Sequence, residues 1–153
     1  MRKNRGKYLL AAMLFAIFFL SASYAAAHCE LPCGIYNDQM RIEMIDEDIT
    51  TIEKAMKEIT ELGSQKEINY NQLVRWINNK ENHADKIQEV VYQYFMTQRI
   101  KPDTDKYEEK LVLLHKMLVA AMKCKQTTDL SHVETLRSLL KSFETLYFGH
   151  THK

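Results

Sequence analysis

NDQMRIEMIDEDITTIEKAMKEITELG, residues 37–63, decides the fold. Within it Ile42, Ile45, Ile49, Ile52, Met56 and Ile59 recur at alternating steps of three and four, which places them on one face of an α-helix. Asn37 and Asp38 are N-cap residues, whose short polar side chains accept from the first unpaired amides. Gly63 closes the segment in the usual C-terminal role. The early acids Glu43, Asp46, Glu47 and Asp48 suit the positive end of the helix dipole. Asp46 to Asp48 read as a solvated face.

Towards the C-terminus the same pattern returns three times. After a polar turn from Ser64 to Asn71, Leu73, Ile77, Ala84, Ile87, Val91 and Tyr94 form a second stripe, with Trp76, Val90 and Phe95 beside it. Lys80 and His83 interrupt that stripe and read as solvent-exposed at a bundle end. A loop from Met96 to Ile100 leads to Lys101 and Pro102, and Asp103 or Thr104 is the expected cap of a third helix. Its stripe is Tyr107, Leu111, Leu114, Leu118 and Ala121, with His115 on the surface. Gln126 to Asp129 form a turn, and Ser131-His132-Val133-Glu134 has the form of a capping box. Val133, Leu136, Leu140, Phe143 and Tyr147 complete the fourth stripe, which ends at Gly149. With four glycines and two prolines among 153 residues, the composition favours helices over strands. Four stripes joined by short connections predict an all-α protein, an antiparallel four-helix bundle over residues 37–149.

Towards the N-terminus the character changes. Met1 to Lys7 is basic, Tyr8 to Leu20 is continuously apolar, and Ser21 to Ala27 is small and weakly polar apart from Tyr24. These are the three parts of a secretory signal, residues 1–27, with a run shorter than the roughly 20 residues that span a bilayer. Ala25 and Ala27 stand where signal peptidase accepts small side chains, so a cut between Ala27 and His28 is expected. It would remove four of the 21 basic residues and leave 17 against 20 acidic, a net charge of −3. Nucleic acid is therefore not an expected partner. Export, to a periplasmic or extracellular location, would bring the thiols into an oxidising compartment. Cys124, flanked by Met117, Leu118, Ala121 and Met122, reads as a buried helix thiol. Residues 150–153 read as a frayed tail.

The cut would expose His28-Cys29-Glu30-Leu31-Pro32-Cys33-Gly34-Ile35-Tyr36. A free His28 amine, the Cys29 amide nitrogen and the Cys29 thiolate would then lie in sequence, able to close two five-membered chelate rings. Cys33 returns its sulfur through the turn at Pro32, and the His28 imidazole can reach an axial position. Two nitrogens and two sulfurs in a plane suit nickel(II) or copper(II), not the oxygen-seeking magnesium or calcium. The bare C-x-x-x-C spacing, without His28 and the cut, fits a disulfide or redox pair as well as a metal site.

His28-Cys29-x-x-Pro32-Cys33-Gly34-x-Tyr36 resembles the nickel hook of nickel-containing superoxide dismutases. That resemblance implies an enzyme that converts superoxide to oxygen and hydrogen peroxide by cycling nickel(II) and nickel(III). His28, Cys29 and Cys33 would be its metal ligands, and Tyr36 its catalytic phenol, in a hook spanning residues 28–36. It also implies a homohexamer. Glu43, in the order Tyr-(four residues)-Arg-Ile-Glu and one residue closer than the family pattern, resembles a glutamate that supports the hook histidine. Tyr94-Phe95 followed by Lys101-Pro102 is similar to the family's Tyr-Phe-Lys-Pro with five residues inserted, which makes Tyr94 the counterpart of a second hook-facing phenol. The family arginine of the second helix is carried over to none of Arg75, Asn79 or His83. The alternatives are a secreted helical interaction protein with a Cys29–Cys33 disulfide loop, and a copper carrier.

Overall fold

A computed structural model describes residues 34–149 together with Tyr8, Met13, Phe15 and Pro32. The expected signal, the cut at Ala27 and His28, the ligands Cys29 and Cys33, and the tail at residues 150–153 lie outside the described residues. The chain divides into two units, Met1–Cys33 and Gly34–Lys153. In the first, Tyr8, Met13 and Phe15 are helical and exposed, and Pro32 sits in a turn.

The second unit is built from α1 (Asp38–Gly63), α2 (Tyr70–Glu89), its direct continuation as a π-helix (Val90–Arg99), α3 (Tyr107–Gln126) and α4 (Ser131–Phe148). Each helix packs on the next, and α4 returns to α1. Cross-helix bonds fix the directions. Asp38 at the start of α1 meets Arg99 at the end of the π-helix and Tyr147 at the end of α4. Lys80 in α2 meets the carbonyls of Cys124 and Lys125 at the end of α3. Neighbours are therefore antiparallel, as expected. Among the described residues no helix is long and apolar enough to cross a membrane.

The stripes form the core: Ile45, Ile49, Ile52, Met56, Ile87, Val91, Leu114, Leu136 and Phe143 are fully buried. Side chains of this size contribute about 1.5–3 kcal/mol each on burial. Met117, absent from the expected stripe, is buried as well. One end of the core is aromatic: Phe95 stacks edge-on against Phe143 at 4.9 Å and Tyr147 at 5.6 Å.

Several local expectations change. Lys80 is 4 % exposed rather than solvated. Its ammonium caps α3 by donating to the last carbonyls, Cys124 at 2.9 Å and Lys125. A buried cation is tolerable there because free carbonyls and the negative end of the helix dipole surround it. His83 pairs with Asp48 at 2.6 Å, so Asp48 is buried instead of lying on a solvated face. Thr104 closes the turn after the π-helix, its hydroxyl accepting from the Lys101 amide, and does not cap α3. The capping box at Ser131 does not form; Asp129 accepts from the Ser131 amide in its place. Gly63 ends α1 without a left-handed cap, whereas Gly149 ends α4 with one, at φ 77°.

The largest change lies at residues 96–100, expected as a loop. Met96 to Arg99 continue the helix, wound wider. Bonds reach back five residues: from the backbone, Ile100 N–H to the Phe95 carbonyl at 2.9 Å; from side chains, Gln98 Nε2 to the Gln93 carbonyl at 3.0 Å and the Thr97 hydroxyl to the Tyr92 carbonyl at 2.7 Å. Residues five apart stand about 140° apart on an α-helix, but come much nearer to one face on a π-helix, whose ladder runs from i to i+5. Tyr94 and Arg99 are five apart and reach the same carboxylate.

Candidate active site

The chain enters α1 through Gly34, Ile35, Tyr36 and Asn37. Gly34 sits at φ 88°, a conformation that costs a residue with a Cβ about 1–2 kcal/mol. No atom lies within 4 Å of where that Cβ would be, so the backbone and not crowding requires glycine. Asn37 caps α1 by accepting from the Met40 amide at 3.1 Å, as its sequence position indicates.

Asp38 has a different role from capping. Its Oδ1 accepts from the Tyr94 hydroxyl at 2.6 Å and Arg99 Nε at 2.9 Å, and its Oδ2 from Arg99 Nη2 and the Tyr147 hydroxyl, both at 2.8 Å. Three helical segments therefore converge on one carboxylate, at the helix end where the dipole favours an anion. Burial would push the Asp38 carboxyl up, but the bonds from Arg99, Tyr94 and Tyr147 outweigh it and hold it below the usual range. Burial and then the nearby carboxylate raise both phenols, Tyr147 to about 12. Around neutral pH the cluster is thus a carboxylate, a guanidinium and two neutral phenols whose protons are committed to Asp38.

Above this pair lies Tyr36. The Arg99 guanidinium carbon is 4.3 Å from its ring centroid, and Tyr94 meets the ring edge-on at 5.8 Å. Arg41 lies over Tyr94 at 5.0 Å, so the two adjoining rings are flanked by a guanidinium on either side. The Tyr36 hydroxyl bonds no other described residue, whereas those of Tyr94 and Tyr147 do. Gln39 Oε1 and Arg41 Nε on the first turns of α1 are buried with no partner among the described residues.

Of the residues singled out from sequence, Tyr36 and Tyr94 come together. Glu43 is exposed on another face of α1, accepting from Gln39 at 3.3 Å. Arg75 is exposed, and His83 is occupied by Asp48. The basic residue beside Tyr36 is Arg99. Sequence reasoning missed Asp38, which reads as a cap, Arg99, which reads as loop, and Tyr147, which reads as core; a cap acid one residue inside the helix is the one signal that points to the first.

For a metal, the described residues hold no group of three His, Cys, Asp or Glu side chains able to bind one. Cys124 is a poor ligand: burial outweighs the nearby Lys80 charge and pushes its thiol up to about 11, away from the thiolate that metals require. The donors expected from sequence to suit nickel, at His28, Cys29 and Cys33, lie outside the described residues. The family model described as nickel-containing superoxide dismutase matches residues 23–151, most of the chain. No curated protein and no solved structure matches it.

Proposed function

The chain belongs to the nickel-containing superoxide dismutases, and from that membership we propose how its own residues serve the reaction. It is an oxidoreductase whose substrate is superoxide and whose cofactor is nickel. The membership favours neither the disulfide-loop nor the copper-carrier alternative.

In this reading the His28 amine and imidazole, the Cys29 amide nitrogen and the thiolates of Cys29 and Cys33 hold the ion. The observation that carries it is the donor set itself, two thiols and an N-terminal histidine at chelating spacing, with no competing set in the described part of the bundle. When bound, nickel supplies one-electron exchange with superoxide, one molecule leaving as oxygen and a second, with two protons, as hydrogen peroxide. Anionic sulfur and amide donors favour the higher oxidation state, which water ligands do not. Tyr36, held by ring contacts with its hydroxyl unclaimed by described residues, orients small anions and ordered water near the hook. Tyr94 and Tyr147 do not exchange protons in this scheme, since Asp38 keeps them neutral donors.

Maturation by signal peptidase after Ala27, export to the periplasm or beyond, and assembly as a homohexamer complete the proposal. Exposed Tyr70, Val74 and Ile77, at successive turns of α2, support an assembly face. Glu43 supports His28 only if the mature chain brings the two together.

The test is the amino terminus. Protein beginning at His28, released from a tag without a scar, is expected to take up nickel and dismutate superoxide. Protein with one extra alanine has an amide in place of the amine, loses the first chelate ring, and is expected to do neither well. Equal activity of the two would refute the amine ligand.

A further inference from the structure

We infer that Arg99 is the positioning residue for Tyr36, a clamp built by the π-helix that carries both Tyr94 and Arg99; this rests on the reading that residues 28–33 hold nickel. Three observations carry it. Residues 96–99 do not loop out but continue the π-helix, which brings Arg99 nearer the face of Tyr94. Asp38 then fixes the guanidinium in two bonds, Nε at 2.9 Å and Nη2 at 2.8 Å, so its plane cannot rotate freely. Finally, the guanidinium carbon lies over the Tyr36 ring, 4.3 Å from its centroid, and Tyr94 meets that ring edge-on at 5.8 Å.

Without this arrangement little in the described structure would hold the entry segment, since Ile35 is 83 % exposed and Gly34 meets nothing within 4 Å of its Cβ position. Tyr36 follows Cys33 by three residues. A phenol that wanders cannot orient a small anion. The guanidinium suits the role because it is flat and forked: it grips a carboxylate along one edge while presenting its face to a ring, which an ammonium cannot do.

Two measurements test the clamp on the mature chain. In nickel-free protein, the Arg99 Nε–H resonance is followed by proton–nitrogen NMR, because a ring above the guanidinium shields that proton. The shift is expected to persist in Tyr36→Phe and to move downfield in Tyr36→Leu, which leaves the Asp38 pair intact. In nickel-loaded protein, Arg99→Lys is expected to lower activity per bound nickel about tenfold with nickel content unchanged. In the Tyr36→Leu background the same change should have little further effect. An Arg99 resonance indifferent to Tyr36→Leu, or an Arg99→Lys loss equally large in both backgrounds, would overturn the clamp. If Cys29→Ser still loaded nickel, the hook reading would fall instead, and the nickel-free NMR comparison would still decide the clamp.

Discussion

Replacing Asp38 with asparagine keeps the side chain's shape and removes its charge, and the cost can be worked from the contacts. Four donor groups converge on the two oxygens. Asparagine offers one acceptor oxygen, and its amide group confronts the donors on the other side, so two bonds are lost. Hydrogen bonds to a charged group contribute about 1.5–3 kcal/mol each. The Arg99 and Asp38 side chains are 28 % and 16 % exposed, so water recovers part of the loss. A destabilisation of about 3 kcal/mol is expected, at the low end of that range, or a Tm roughly 10 °C lower for a domain of this size. Urea unfolding of nickel-free protein, followed by circular dichroism at one fixed protein concentration, measures it. The pH dependence has a definite sign. Because the folded Asp38 carboxyl is held below its ordinary value, its contribution is complete above about pH 4 and is lost as pH falls through the lowered value. The gap between wild type and Asp38→Asn should therefore narrow in acid. A gap below about 1 kcal/mol at neutral pH would refute the central role of the carboxylate, as would one undiminished at about pH 2.

Lys80→Met should cost about 2 kcal/mol, since it leaves the Cys124 and Lys125 carbonyls at the end of α3 without their donor; hydrogen exchange should rise in the last turn of α3 before elsewhere. A variant as stable as wild type would mean that water replaces the cap without loss. Cys29→Ser and Cys33→Ser are expected to abolish nickel binding and dismutation while far-UV circular dichroism stays unchanged, because both residues precede the bundle. Full activity in either variant would refute the two-thiolate site.

Much of this protein is legible in its sequence because the governing physics is local. An apolar residue every three or four positions sets a helix face whatever lies opposite, so Ile42 to Met56 and Val133 to Phe143 declare the helices and most of the core before any packing is known. Asn37 as a cap is local too, since capping acts over a few bonds, and the chelation proposed for His28, Cys29 and Cys33 would be equally local. Tertiary structure decided what depends on distant partners. Lys80 reads as exposed until the end of α3 supplies its carbonyls, and Asp48 reads as solvated until His83 arrives from α2. The clearest case is Arg99, which lies 61 residues from Asp38 in sequence. A segment that sequence reads as a loop stays helical because a wider winding keeps the backbone bonded while seating Phe95 in the core and turning Arg99 onto Asp38. No pattern within the segment specifies that choice, because what stabilises it is a carboxylate on another helix and an aromatic floor drawn from α4.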